Sequence, residues 1–334
     1  MLRAVTLVTV VALAAGCQSK ASSSGAGAAA SASASSSDFA FPGASRTTGP
    51  STAVHATRGS LTIGSAGFTE SEVLAAVYSA LLTKRGYAVK ISSIPATNLL
   101  QTALEKHQVD VVPQYAAAYT DQLNALIRGG GVKRVASSDL TATMAQLAPL
   151  AVSRGVTPLK PTPAVDELAF AVGTTFATRN AVATLSDLGR LGVSVKLAAG
   201  AECATDPACQ PGLLATYGIR VSVLDPLGVD TLPAKNAVQN GRDQLVAVRT
   251  TDGTLAASKL VVLADDKHLQ PAGNIVPIVN KTSLAKHPDI AATLNTLAGV
   301  LSTEDVARMI AAVEVAGQGT ADVADAYLRS KGLL

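Results

Sequence analysis

Thiols, imidazoles and carboxylates are where chemistry would start in this 334-residue chain, and their spacing suits holding better than bond-making. The four histidines, His55, His107, His268 and His287, are scattered, and three of them neighbour charged or polar helix ends. No GxSxG, HExxH or phosphate-loop motif with its lysine is present, so nothing pairs a nucleophile with a base. No catalytic residue, metal site or cofactor is expected. The cysteines number three. Cys203 and Cys209 bracket a short loop containing Pro207, and in an oxidising compartment such a pair closes as a disulfide. Two thiolates with no histidine nearby would leave a tetrahedral metal shell half filled. Cys17 stands apart, near the N-terminus.

Composition narrows the class. Hydrophobic residues make up 48% and charged residues 15% of the chain, and mean hydropathy is +0.32. That is ample material for a core. A net charge of +3 without runs of Lys or Arg gives no footprint for nucleic acid. Aromatic residues are scarce, with five Phe, six Tyr and no Trp, so any site built from ring faces draws on a small stock.

The N-terminus reads as an export signal. Met1-Leu2-Arg3 is a short basic start, and the apolar run from Ala4 to Ala15 is too short for a comfortable membrane span. It ends in Leu13-Ala14-Ala15-Gly16-Cys17, which resembles a bacterial lipoprotein signal. On that reading residues 1–16 are removed and Cys17 is lipidated. The alternative is an ordinary signal peptide cleaved nearby. Residues 17–59 are mostly Ser, Ala, Gly and Thr. They hold too little apolar surface to offset their ordering entropy, and about 40 such residues reach roughly 35 Å as a tether.

From residue 60 the pattern alternates. Strands are predicted at Leu61–Ser65, Tyr87–Ile94, Val109–Pro113, Leu168–Gly173, Val193–Leu197, Ile219–Leu224, Gln244–Val248, Lys259–Leu263 and Ile275–Val279. Helices follow at about 69–85, with Thr69 and Glu72 as a capping box, at 97–106 behind a Thr97 cap, and at 116–128. Later helices are expected from Ser186, at 211–217, 232–240, 288–299, 304–315 behind Thr303, and 320–331. Such alternation implies an α/β protein with largely parallel sheets.

Several segments resemble the substrate-binding proteins of glycine betaine/carnitine/choline ABC transporters. These are Leu61 to Glu72, Ala103-Leu104-Glu105 leading to Val109–Tyr115, Pro211-Gly212-Leu213 with Tyr217-Gly218-Ile219, and Thr250-Thr251-Asp252-Gly253. Val261–Lys267, Asn274–Pro277 and Ala326–Leu333 continue the likeness in the same order. The resemblance implies a two-lobed type II periplasmic-binding fold with a ligand cleft and two inter-lobe crossings, near Pro163–Glu167 and Leu269–Asn274. Lobe I would comprise 60–163 plus 275–334, and lobe II 164–274. The expected function is extracytoplasmic capture of a quaternary ammonium solute by a monomer. A lipid would hold it at the cell membrane, and its partners would be a permease and an ATPase.

The resemblance also implies site residues. A quaternary ammonium ion has no N–H to donate, so it is held by ring faces, carboxylates and carbonyl dipoles. Tyr115 falls at a family tyrosine, and Tyr119 lies one helical turn further on. Asn98 stands where many relatives have Asp, and Ser71 where many have Gln. Phe68 enters the first helix, as cleft lining or as a staple residue. Asp166 supplies charge at the crossing or caps a turn. Thr250 and Thr251 follow a lobe II strand and offer hydroxyls, or form a structural turn. Leu168 and Lys235 replace cage tyrosines, and Asp206 replaces an arginine. With Asp166 and Glu167 adding negative charge, the cleft is expected to favour a cation such as choline over a zwitterion. An amino acid, polyamine or aromatic ligand on the same fold remains open, as does an envelope enzyme or adhesin that has reused it.

Overall fold

Strand β1 (Ser60–Ser65) leads to α1 (Thr69–Lys84), β2 (Ala88–Ser93), α2 (Thr97–Glu105), β3 (Val111–Tyr115), α3 (Ala116–Arg128), α4 (Leu140–Ser153) and β4 (Val156–Pro158). The chain then crosses to β5 (Leu168–Gly173), α5 (Thr174–Asn180), α6 (Leu185–Arg190), β6 (Ser194–Ala199), α7 (Gln210–Tyr217), β7 (Arg220–Pro226), α8 (Leu232–Gln239), β8 (Leu245–Arg249) and β9 (Leu260–Leu263). It returns through β10 (Ile275–Asn280), α9 (Lys281–Lys286), α10 (Asp289–Leu294), α11 (Thr303–Glu314) and α12 (Thr320–Ser330). This computed structural model describes residues 58–334. The signal segment, Cys17 and the tether through residue 57 lie outside the described residues.

The strands form two five-stranded sheets, ordered β2-β1-β3-β10-β4 and β7-β6-β8-β5-β9. The expectation of largely parallel sheets holds for all but one strand of each. β1 runs parallel to β2 and β3, but β10 is antiparallel to β3 and β4. In the second sheet β6 runs parallel to β7 and β8, while β5 is antiparallel to β8 and β9. The two odd strands are those that arrive from the other sheet, and hydrophobic periodicity reports which face is buried, not strand direction.

Each sheet has its own core. On α1, Val73, Val77 and Leu81, with Leu74, Tyr78 and Leu82, repeat at four-residue spacing and bury against Met309 of α11 and Tyr327 of α12. The second sheet buries Phe170, Leu197 and Leu245 against Leu213 and Ile219. Fully burying one such side chain contributes about 1.5–3 kcal/mol.

Several helix starts differ from expectation. The residue before α1 is Phe68, with no side-chain cap, so the Thr69–Glu72 capping box does not form. Thr97 is the first residue of α2, behind Ala96. Ser302 and Asp305 make the capping box of α11 in place of a Thr303 cap. In each case a neighbouring side chain, or none, takes the orphan amides, and α1 thereby frees its first turn for other contacts.

The two passages between the sheets touch. Val165 and Asn274 form an antiparallel bridge, the Asp166 amide donates to Gly273 O at 3.0 Å, and the Ile275 amide donates to Ala164 O at 2.9 Å. A Cβ on Gly273 would lie 2.3 Å from Asp166 O, so only glycine permits this approach.

Candidate functional site

Ligands of α/β sheets gather at the carboxyl ends of strands, and here three ends converge. β1 runs into the 66–68 turn, β3 ends at Tyr115, and β8 ends at Arg249 before Thr250 and Thr251. Gly67, at φ +79°, packs against Pro95 and makes the first of these turns tight. With Asp166 from the first passage, these elements enclose a cavity of about 520 Å³.

Its centre is a hydrogen-bonded chain spanning both sheets. Tyr115 OH donates to Glu70 Oε1 at 2.6 Å. Thr251 Oγ1 donates to Glu70 Oε2 and lies 3.3 Å from Asp166 Oδ1. Arg249 grips Asp166 at two points, Nε to Oδ1 at 2.8 Å and Nη2 to Oδ2 at 2.7 Å. This planar, charge-assisted geometry is the strong form of the ion pair. Burial, and then the charge of Asp166, pushes the Glu70 carboxyl up to about 7. Burial and the same two carboxyls raise Tyr115 well above its ordinary value.

A second charged group borders the cavity from the other sheet. Lys235, 6% exposed in its side chain, lies 3.1 Å from Asp230 Oδ1 and 2.5 Å from Asp252 Oδ2. It also donates to Thr254 Oγ1 at 2.7 Å. Burial, then Asp252, raises Asp230 to about 7. Burial acts the same way on Asp252, but hydrogen bonds from Asp230 and Lys235 outweigh it and hold Asp252 below its usual range.

Tyr115 and Arg249 also wall a further cavity of about 370 Å³, which reaches Glu167, Leu168 and Gln270. Across it Arg134, from the loop after α3, meets Asp206 at 3.0 and 3.3 Å. Asp206 sits in the loop closed by a Cys203–Cys209 disulfide, with Cα atoms 5.1 Å apart. The Arg134 loop is fixed by Asp121 Oδ1, which accepts the amides of Val135 and Ala136. Among the described residues no cluster of three or more His, Cys, Asp or Glu is arranged to hold a metal ion.

Residues 59–330 match the family model for the substrate-binding domain of ABC-type glycine betaine transport systems. The chain belongs to that family. A glycine-betaine-binding protein of Pseudomonas aeruginosa is 28% identical over 283 residues, spanning 82% of this chain and 88% of that protein. The glycine betaine-binding protein YehZ of Escherichia coli K12 is 26% identical over 285 residues, 81% and 90% of the two chains. Among solved structures, apo YehZ from Escherichia coli superposes with a TM-score of 0.70 at 24% identity, over 82% of this chain and 99% of that one. A glycine betaine/carnitine/choline ABC transporter structure gives the same score at 20% identity and the same coverage. The fold is thus the two-domain type II periplasmic-binding fold.

Within this substrate-binding domain the expected site residues separate. Tyr115, Asp166, Thr251 and Phe68 line the charged cavity. Ser71 is buried, and its hydroxyl accepts the Ala66 amide at 2.8 Å, holding the β1–α1 turn. Asn98 is exposed, and its Oδ1 accepts the Leu99 amide at 3.0 Å. Both border a third cavity of about 640 Å³, beyond Phe68, and not the charged one. Thr250 donates to Val165 O at 2.7 Å and accepts the Glu167 amide at 3.1 Å, so it ties the first passage and borders none of these cavities. Tyr119 corrects the expectation most clearly. It is 1% exposed and packs with Leu123, Leu147 and Ile278. Tyr115 precedes α3 and is not part of it, so one-turn spacing does not carry Tyr119 to the same side.

Glu70, Arg249, Asp230 and Asp252 were not expected in the site. Glu70 sits inside the Thr-Glu-Ser-Glu stretch that reads as a cap, and its place in the cavity appears only through Tyr115 and Thr251, 45 and 181 residues away. Arg249 did carry a signal, a cation closing the otherwise apolar strand Leu-Val-Ala-Val.

Proposed function

We propose that this chain captures quaternary ammonium solutes of the choline, glycine betaine and carnitine type and delivers them to the permease and ATPase of an ABC importer. One observation carries the reading. The central cavity is lined by six carboxyl groups, those of Glu70, Glu72, Asp166, Asp230, Asp252 and Glu314, against one guanidinium and the Lys235 ammonium behind Asp230 and Asp252, with the rings of Phe68 and Tyr115 on its wall. A cation without N–H donors is held by such a field, and each ring face adds about 0.5–2 kcal/mol. Aromatic content beyond these two rings is low, so carboxylates take over much of the work of a tyrosine cage.

Of the residues expected to set the charge, Asp166 lines the cavity and the others do not. Asp206 is paired with Arg134, and Glu167 accepts the Gly273 amide at 2.9 Å. Glu70, Asp230 and Asp252 join Asp166 on the cavity wall, with Arg249 and Lys235 as their counter-charges. The carboxylate of glycine betaine would have to compete with Asp166 for Arg249, which favours choline. A polyamine is the second reading, because carboxyls also accept N–H donors. Substrate-binding proteins of ABC importers work outside the cytoplasm. For this chain we place lobe I at 60–163 plus 275–334 and lobe II at 164–274, closing about the two passages. Removal of residues 1–16 and lipidation of Cys17 would let the tether of residues 17–59 hold a monomeric body at the membrane.

Isothermal titration with choline, glycine betaine, carnitine, proline betaine and spermidine tests this. Choline is expected to bind most tightly, and more tightly at pH 8 than at pH 6, because a cation favours the ionised forms of Glu70 and Asp230. Tighter binding of glycine betaine sinks the charge argument. Spermidine binding alone moves the ligand class to polyamines.

A further inference from the structure

Phe68 and Tyr115 also wall a second space, of about 640 Å³, whose lining contains no charged residue. The two rings are shared walls of both spaces. One face of α3 builds the far side, where Ala118, Gln122, Ala125 and Leu126 recur at helical spacing. Alanines at 118 and 125 leave room that larger side chains would fill. Ala66 and Pro113 add apolar surface from the ends of β1 and β3. Phe68 and Leu126 are 45% and 46% exposed, large apolar side chains left facing water at the edge of a ligand cleft. Seven charged side chains line one space and none the other, which is the pattern an amphipathic molecule would match.

We propose that the natural ligand is a quaternary ammonium compound with an apolar arm of several carbons, its head among Glu70, Asp166 and Tyr115 and its arm along Ala118, Ala125 and Leu126. The proposal rests on the quaternary ammonium reading above and narrows it. Short-chain acyl esters of amino alcohols have this chemistry, whereas glycine betaine and choline fill only the charged half. The two shared rings put the spaces side by side, which favours an arm of the same ligand over a protein face as the occupant.

The test titrates choline, acetylcholine, butyrylcholine and hexanoylcholine into the full chain. Affinity is expected to rise along the series, about tenfold for each two methylenes buried, with an increasingly negative heat-capacity change. Ala118→Trp, which fills the groove, and Leu126→Glu, which charges it, are both at surface-accessible positions and should erase the chain-length gain while leaving choline affinity within about twofold. Thermal melts of each variant report folding, and either folded variant suffices. Choline binding with no gain along the series overturns the arm and leaves the cation reading standing. Failure of choline and every ester to bind overturns both. A chain-length gain that survives in both variants puts the arm elsewhere and overturns the groove.

Discussion

The two sheets repeat one plan with different cargo. Each has three parallel strands, then an incoming antiparallel strand and a short or outer partner, in the orders β2-β1-β3-β10-β4 and β7-β6-β8-β5-β9. In both, the strand at the first edge, β2 or β7, is largely open to solvent. The groups at the strand ends differ. The first sheet presents Phe68 and Tyr115 with one buried carboxyl, Glu70. The second presents Arg249 and the Asp230–Lys235–Asp252 cluster, and its loop is stapled by a disulfide. Rings come from one side and fixed ions from the other, so the framework repeats while recognition does not.

Removing an ion from the charged side should break the contrast most severely. Lys235→Met leaves Asp230 and Asp252 facing each other without their buried cation, at an expected cost of about 3–5 kcal/mol in urea unfolding. Glu70 sharpens it next. Its carboxyl titrates at about 7 in the fold against 4.5 for a free glutamate. The fold therefore holds that proton better than the unfolded chain. Its stabilising influence is complete below about 4.5 and is lost as pH rises through about 7. Glu70→Gln should flatten that decline, a change of at most about 3 kcal/mol between pH 4.5 and 8, read by unfolding at several pH values. Replacing Cys203 and Cys209 with serine opens a short loop and should cost about 2 kcal/mol, confined to the second sheet in hydrogen exchange. The smallest effects separate the two tyrosines. Tyr115→Phe removes the hydroxyl bonded to Glu70 and should weaken choline binding about threefold to tenfold. Tyr119→Phe, whose ring is buried in the core with Leu123 and Leu147, should leave binding unchanged.

Legibility followed the range of the interaction. The strand at Leu168–Gly173 and the helix at Ala116–Arg128 were readable to the residue, because apolar periodicity and glycine stops act locally. Helix α4, interrupted in pattern by Pro149, is not legible in the sequence, nor are short β4, α5 and α9. Tyr115, Asp166 and Thr251, which line the charged cavity, are legible only through the family resemblance. Glu70 was hidden because its local sequence also satisfies a capping pattern, and which use wins depends on partners brought by the fold. The Arg134–Asp206 pair was hidden for the same reason, its members lying 72 residues apart.

The close approach at Gly273 has a consequence for how such a receptor can change. The joint between the sheets is closed largely by main-chain bonds at Ala164, Asp166, Gly273 and Ile275, while the cavity is lined by side chains. Mutation can therefore redraw the chemistry of the cleft without disturbing the joint, provided position 273 stays glycine. A receptor built this way can drift from one solute to another while keeping its mechanics, and its taste in ligands is the part most open to evolution.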